Sequence, residues 1–240
     1  MKLDARTWLF VTLVAVLVTC LVVGDLVGGK LTGLHLFGRE WVFAVGMLSF
    51  PVTFVLTDII SEFYGRTAVR RVTLIAFCMV ALTFAIAYAA GAMPWASFTQ
   101  SEGWDGVGEL HFSTVFTQAG RIQLSSMTAF LLASLVDISV FFLLKRLTGN
   151  RMLWLRATGS TAISQLFDTV LIQALAFGDK LTPGEYINVV TTSYLIKLVV
   201  AIGVTPIIYG LHELIERRLH IQPAPLDSEL AQAKTHQRDA

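Results

Sequence analysis

Residues 8–27 read WLFVTLVAVLVTCLVVGDLV, and Asp25 is the only charged side chain in this run. About 20 consecutive apolar residues are enough for an α-helix to span the hydrocarbon core of a bilayer. Lys2 and Arg6 precede the run, as basic residues do in a signal peptide. The run is too long for a signal peptide, however, and no small-residue cleavage site follows it before Asp25. The stretch therefore predicts a membrane helix that the mature protein keeps.

Five further apolar runs follow, at residues 42–63, 72–92, 121–144, 157–177 and 187–211. Each is about twice the length of a transmembrane strand and lacks strict alternation, which favours helices. The composition agrees, because 55% of the residues are hydrophobic and 15% are charged. We expect an all-α integral membrane protein, with six transmembrane helices in a single bundle over residues 1–219. Residues 220–240 are polar and are expected to form a disordered tail.

The distribution of Lys and Arg predicts how the helices are oriented. These residues concentrate before the first run, between the second and third, between the fourth and fifth, and after the sixth, at positions such as Arg6, Arg70, Lys145, Arg156 and Arg217. Loops rich in Lys and Arg lie on the cytoplasmic side, so both termini are expected there. The net charge of the whole chain is only +1, and no basic stripe is present, so nucleic acid is not expected as a partner.

Several ionisable side chains lie inside these runs or at their ends, namely Asp58, Glu62, Asp137, Asp168 and Lys197. Insertion scales put the cost of such a group at about 2.5–3.5 kcal/mol at the bilayer centre, so a functional role is the default interpretation. Asp168 and Lys197 each lie about 11 residues from the start of their helix, which predicts an ion pair near the midplane. Glu62 has two interpretations, as an interfacial charge beside Arg66 or as part of a site. Pro51 is expected to kink the second helix.

The fifth run carries a polar stripe. Ser160, Ser164 and Asp168 are spaced four residues apart and Gln165 lies in the adjacent row, so these side chains share one side of a helix. Hydrogen bonds between helices, at about 0.6 kcal/mol each, would account for Ser160 and its neighbour Thr161. A carboxylate and an amide at midplane depth cost more than packing requires. We therefore expect Gln165 and Asp168 to belong to a ligand site.

No catalytic motif accompanies this stripe. The sequence lacks the H-E-x-x-H motif of zinc proteases, the G-x-S-x-G motif of serine hydrolases and the phosphate-binding loop of ATPases. We expect neither an enzymatic activity nor a cofactor. A polar cavity at the midplane suits the passage of a small polar solute across the bilayer.

Two motifs carry a resemblance to a known family. FPVTFVLTDIISEFYG at residues 50–65 and LWLRATGSTAISQLFDT at residues 153–169, together with Lys197 and Thr205-Pro206, resemble the queuosine precursor transporter family, also called the vitamin uptake transporter family. The resemblance covers about residues 8–219. One departure is Phe54, where relatives often carry Tyr.

The resemblance implies a location, a solute and a fold. It implies import across the bacterial inner membrane of the 7-deazaguanine precursors preQ0 and preQ1, which are 7-cyano-7-deazaguanine and 7-aminomethyl-7-deazaguanine. It also implies a fold similar to the substrate-binding subunits of energy-coupling-factor transporters. An alternative function is therefore a binding subunit for a purine-like or vitamin solute that needs a partner ATPase module.

A deazaguanine presents adjacent N–H donors and one carbonyl acceptor, and these suggest roles for the polar residues. Asp168 or Asp58 would read the donor edge, with Gln165 and Ser164 beside it. Lys197 would meet the carbonyl or neutralise the carboxylate of an empty site. Phe50 or Tyr194 would stack on the base, and Asp137 or Glu62 would accept the aminomethyl cation of preQ1. A homodimer is also expected, because Gly24, Gly28 and Gly29 permit close helix contacts.

Overall fold

The computed structural model describes residues 4–27, 30–36, 39–101, 103–116, 120–148, 152–178 and 182–225. Its helices are α1 (Ala5–Val27), α2 (Phe50–Gly91), α3 (Glu109–Phe116), α4 (Gly120–Thr148), α5 (Leu153–Phe177) and α6 (Pro183–Leu219). An antiparallel hairpin of β1 (Leu31–Leu36) and β2 (Arg39–Ala44) follows α1. Short 3-10 turns cover Val45–Leu48 and Ser97–Gln100.

The helices confirm an integral membrane protein that crosses the bilayer several times. Four of the described helices are long and apolar enough to cross a membrane, over Ala5–Val27, Phe50–Gly91, Leu124–Thr148 and Pro183–Leu219. The first and last of these spans contain the first and sixth predicted runs, and the span over Leu124–Thr148 covers most of the fourth run, all of which lies within α4. The fifth predicted run is also helical, as α5, but this helix carries Arg156 and the polar stripe and falls outside that set.

The predicted second helix begins later than expected. Residues 42–48, which the sequence assigns to this helix, belong to β2 and the 3-10 turn, and the helix starts at Phe50 with Ser49 as its N-cap. Pro51 lies in its first turn, where a missing backbone N–H breaks no intrahelical bond. The predicted kink at Pro51 is therefore wrong, because this proline starts a helix instead of interrupting one.

The long helix α2 is broken at Gly65. Gly65 has φ 80° and ψ 177°, a backbone conformation that only glycine adopts without strain. Thr57 and Thr73, eight residues before and after the break, line the same cavity. The two limbs, residues 50–64 and 66–91, therefore fold back on each other and supply the predicted second and third helices.

Two apolar clusters hold the bundle together. In the first, Leu17 of α1 packs with Val72 of the second limb of α2 and with Phe141 of α4. In the second, Phe63 of the first limb packs with residues of α5 and α6, among them Ile208. The C-terminal end of α1 is also packed, because a side chain at Gly24 would collide with Ser49. Gly24 therefore serves a contact within the chain.

One end of the bundle, which we call the charged end, gathers the first and last described segments. The Arg6 guanidinium donates to the Phe63 carbonyl at 2.8 Å, and the Tyr64 hydroxyl donates to the Arg6 carbonyl at 2.7 Å. Residues 220–225 follow α6 without regular secondary structure and contact this end, with Ile221 buried and the Ala224 N–H donating to the Glu62 carbonyl at 2.8 Å. The rest of the expected tail, residues 226–240, lies outside the described residues.

Candidate functional site

A cavity opens between the first limb of α2, α4 and α5. One side is aromatic and is formed by Phe50, Phe54 and Phe130. The lining also has a polar part, which includes Asp137, Ser164, Gln165 and Asp168. An apolar wall facing a small number of polar groups is the usual constitution of a site for a planar small molecule.

The polar stripe of α5 forms much of the polar side. Ser164, Gln165 and Asp168 are all buried, and all three line the cavity. Their spacing of three and four residues places them on one face of the helix, as the sequence predicts. The same cavity also contains Phe50 and Asp137 from the expected set.

Asp168 and Lys197 form the predicted ion pair. The Lys197 Nζ lies 2.6 Å from Asp168 Oδ2 and donates a hydrogen bond to it. The same ammonium lies 5.2 Å from the centre of the Phe50 ring, within cation–π range. Lys197 does not line the cavity, but it contacts two residues that do, Asp168 and Phe50.

Asp137 of α4 faces α5 across the cavity. The Ser164 hydroxyl donates to Asp137 Oδ1 at 3.0 Å, so the helices are joined at the level of the site. No ion pair between described residues includes Asp137. This carboxylate therefore has a hydrogen-bond donor but no cation bonded to it.

Two buried oxygen atoms in the cavity wall lack partners. Among the described residues, neither Gln165 Oε1 nor Thr73 Oγ1 has a hydrogen-bond partner. Leaving a buried acceptor unsatisfied costs about 1–3 kcal/mol. Such atoms in a cavity wall are the positions at which a solute with N–H donors would gain most.

Asp58 is buried next to Thr57, which lines the cavity, but Asp58 itself does not line it. Its side chain is 2% exposed, and neither carboxylate oxygen has a hydrogen-bond partner among the described residues. Asp137, Glu62 and Arg156 are close enough to act on it electrostatically.

Glu62 is part of a buried ionic cluster at the charged end. Its carboxylate lies 3.3 Å from the Lys145 ammonium and 3.1 Å from the Arg156 guanidinium, and all three side chains are at most 2% exposed. Lys145 also donates to the Ala224 carbonyl at 3.2 Å. Glu62 therefore neutralises two buried cations, and its ion-pair partners among the described residues are Lys145 and Arg156 and not Arg66.

The pairing of Lys145 and Arg156 with Glu62 is not predicted from the sequence, because both residues lie at the ends of apolar runs and are counted there as loop charges. A signal was present, since Arg156 lies four residues before Ser160 and thus extends the polar stripe. Lys145 similarly follows Asp137 by eight residues, on the same face of α4. Tyr194 is half-buried on α6 and does not line the cavity.

Comparison with known proteins identifies the family. A family described as "Putative vitamin uptake transporter" matches residues 44–211. A "Probable queuosine precursor transporter" from Bacillus subtilis (strain 168) is 29% identical over 173 residues, which cover 71% of this chain and 72% of that protein. A "Queuosine precursor transporter" from Escherichia coli (strain K12) is 27% identical over 168 residues, with coverage of 69% and 70%. No solved structure matches the chain. The family match spans well over half of the sequence, and the chain belongs to the vitamin uptake transporter family.

Proposed function

We propose that this protein imports the queuosine precursors preQ0 and preQ1 across the bacterial inner membrane, and that the cavity between α2, α4 and α5 binds them. The names of the two relatives support the solute class. The observation that carries the proposal is the pairing of an aromatic wall with the unsatisfied acceptor Gln165 Oε1 and the carboxylate of Asp168.

The chemistry of a deazaguanine suits such a site. Its flat ring system would lie against Phe50 and Phe54, whose own rings are stacked with centres 6.1 Å apart. Its adjacent N–H donors would bond to the Asp168 carboxylate and to Gln165 Oε1. Asp137 across the cavity would accept the aminomethyl cation of preQ1.

Other expected site residues take supporting roles in this proposal. Lys197 holds the Asp168 carboxylate in place and balances its charge, and so permits an anion at this depth. Glu62 is committed to Lys145 and Arg156, and we assign it to the stability of the charged end. Tyr194, which does not line the cavity, receives no contact with the solute.

The proposed topology has six crossings, with the limbs of α2 counted separately. Counting the limbs in this way, the chain passes the charged end at Arg6, Gly65, Lys145, Arg156 and residues 220–225. These positions are the ones that the Lys and Arg distribution assigns to the cytoplasm. We therefore place the charged end and both termini on the cytoplasmic side of the inner membrane.

The proposal is tested in a bacterial strain that can neither make preQ0 nor import it. The protein is expressed, preQ0 or preQ1 is supplied at low concentration, and tRNA is assayed for queuosine. Restored queuosine is the expected result with the wild type and with Leu166→Ala, since Leu166 is an exposed neighbour of Gln165 on α5 that does not line the cavity. Gln165→Leu, inserted at a matched level, is expected to abolish the signal.

Absence of queuosine with an inserted and folded wild-type protein would contradict the proposal. Uptake by purified protein in liposomes distinguishes the alternative of a binding subunit with a partner ATPase. A carrier acts alone in this assay, whereas a binding subunit binds the solute but does not transport it.

A further inference from the structure

The side chain of Asp58 is a carboxylate in the interior of the bundle with no described group to satisfy it. It is 2% exposed, and both of its oxygens lack a hydrogen-bond partner among the described residues. An ionised carboxylate in such surroundings is costly, so the group either carries a proton or holds a cation. Asp58 does not line the cavity, and the solute is not positioned to satisfy it.

The cations near Asp58 are engaged by other carboxylates. The described buried pairs are Lys145–Glu62, Arg156–Glu62 and Lys197–Asp168. Adding Asp58 and Asp137 gives four carboxylates and three cations in this interior. One negative charge is in excess, and it belongs to the two carboxylates that have no ion pair.

The other charged groups that face this region do not remove the excess. On α1, Arg6 binds the Phe63 carbonyl. On α6, the His212 ring lies 5.1 Å from the Phe63 ring, and His212 is paired with Glu216 at 3.6 Å.

The geometry points to Asp58 and Asp137 as a shared proton site that couples solute import to proton entry, an inference that rests on the proposed function. The proton is bound as the O–H of a carboxylic acid and is released unchanged to water on the cytoplasmic side. No other reactant is consumed.

The position of the pair explains how the proton and the solute would be linked. Asp137 lines the cavity and accepts a hydrogen bond from Ser164, so a solute in the cavity would change the surroundings of its carboxylate. Asp58 lies one helical turn from Glu62 and interacts electrostatically with both Asp137 and Arg156. Loss of the proton leaves an extra negative charge that competes with Glu62 for Arg156, which loosens the charged end.

The test uses purified full-length protein in liposomes, with radiolabelled preQ0 as the solute and the membrane potential clamped at zero. A pH difference of one unit, acid outside, allows about tenfold accumulation if one proton accompanies each solute. The wild type is expected to approach that ratio. Asp58→Asn is expected to reach a ratio of about one, because the asparagine amide cannot release a proton.

Exchange of labelled for unlabelled preQ0 at equal pH is measured on the same liposomes. Asp58→Asn is expected to retain exchange, because it removes coupling and leaves the cavity wall unchanged. The matched control is Asp25→Asn, which alters a carboxylate bonded to Ser126 outside the site, and it is expected to accumulate preQ0 like the wild type. Wild-type exchange without accumulation would overturn the proton site while leaving the proposed function intact.

Failure of the wild type to exchange would instead contradict the proposed function. Accumulation by Asp58→Asn equal to that of the wild type would also overturn the inference, as would accumulation driven by a sodium gradient alone. If Asp58→Asn does not fold, direct measurement of proton uptake by liposomes that contain the wild-type protein provides the same decision. Proton entry that accompanies preQ0 is expected, and its absence would overturn the proposal.

Discussion

The ammonium of Lys197 and the carboxylate of Asp168 lie 2.6 Å apart in the interior of the bundle and join α5 to α6 beside the cavity. The Glu62 cluster is the second place at which buried charges are paired. Asp58, between these two, has no such partner. We assign the Glu62 cluster to stability, the Asp168 carboxylate to solute binding, and the unpaired carboxylates of Asp58 and Asp137 to proton coupling.

Replacement of one member of the buried Asp168–Lys197 pair is expected to destabilise the protein strongly. Lys197→Met leaves the Asp168 carboxylate buried without its cation, and breaking a buried pair in this way costs about 3–5 kcal/mol. We expect a clear fall in the thermal unfolding temperature of the purified protein in detergent.

The double variant Asp168→Asn with Lys197→Met separates stability from solute binding. It removes both charges, so its unfolding temperature should recover most of the loss. Binding of preQ0 should be lost, because the Asp168 carboxylate is no longer present. A double variant as unstable as Lys197→Met alone would show that the pair is not the cause.

Glu62→Gln is expected to destabilise the charged end. Lys145 and Arg156 would both lose their carboxylate partner, and each is only 1% exposed. The control is Glu213→Gln, which breaks an exposed pair with Arg217 on α6 and should change stability by less than about 1 kcal/mol. Thermal unfolding of both variants decides the prediction, and equal losses would contradict it.

Gly65→Ala is expected to strain the reversal within α2. A side chain at φ 80° and ψ 177° costs about 1–3 kcal/mol. Gly203→Ala is the matched control, because Gly203 lies in α6 and an added Cβ would meet nothing within 4 Å. The control should be neutral or slightly stabilising, and a loss in Gly203→Ala as large as that in Gly65→Ala would contradict the role of the positive φ.

The sequence predicts the membrane helices well because apolar length is a strong signal. It misplaces the start of the second helix because residues 42–49 are as apolar as the helix that follows them. The alternation in β1 and β2 is short, and the sequence Phe37-Gly38 between them is not one of the dipeptides that predict a hairpin. Pro51 could have marked a helix start, since proline is favoured in the first turn.

The candidate site could be predicted in part. Regular spacing on α5 identifies Ser164, Gln165 and Asp168, and equal depth identifies the pairing of Asp168 with Lys197. Contacts between distant segments are not readable from one sequence. The partners of Glu62, at 83 and 94 residues away along the chain, are therefore visible only in the fold.

The central claim is that the cavity between α2, α4 and α5 binds a deazaguanine, and equilibrium binding of radiolabelled preQ0 to purified protein tests it most directly. Wild type and Leu166→Ala should show the same saturable binding. Gln165→Leu removes the unsatisfied acceptor and replaces the amide with an apolar side chain of similar size. It should weaken binding by at least about tenfold, or about 1.4 kcal/mol. Binding by folded Gln165→Leu that equals the wild type would contradict the account.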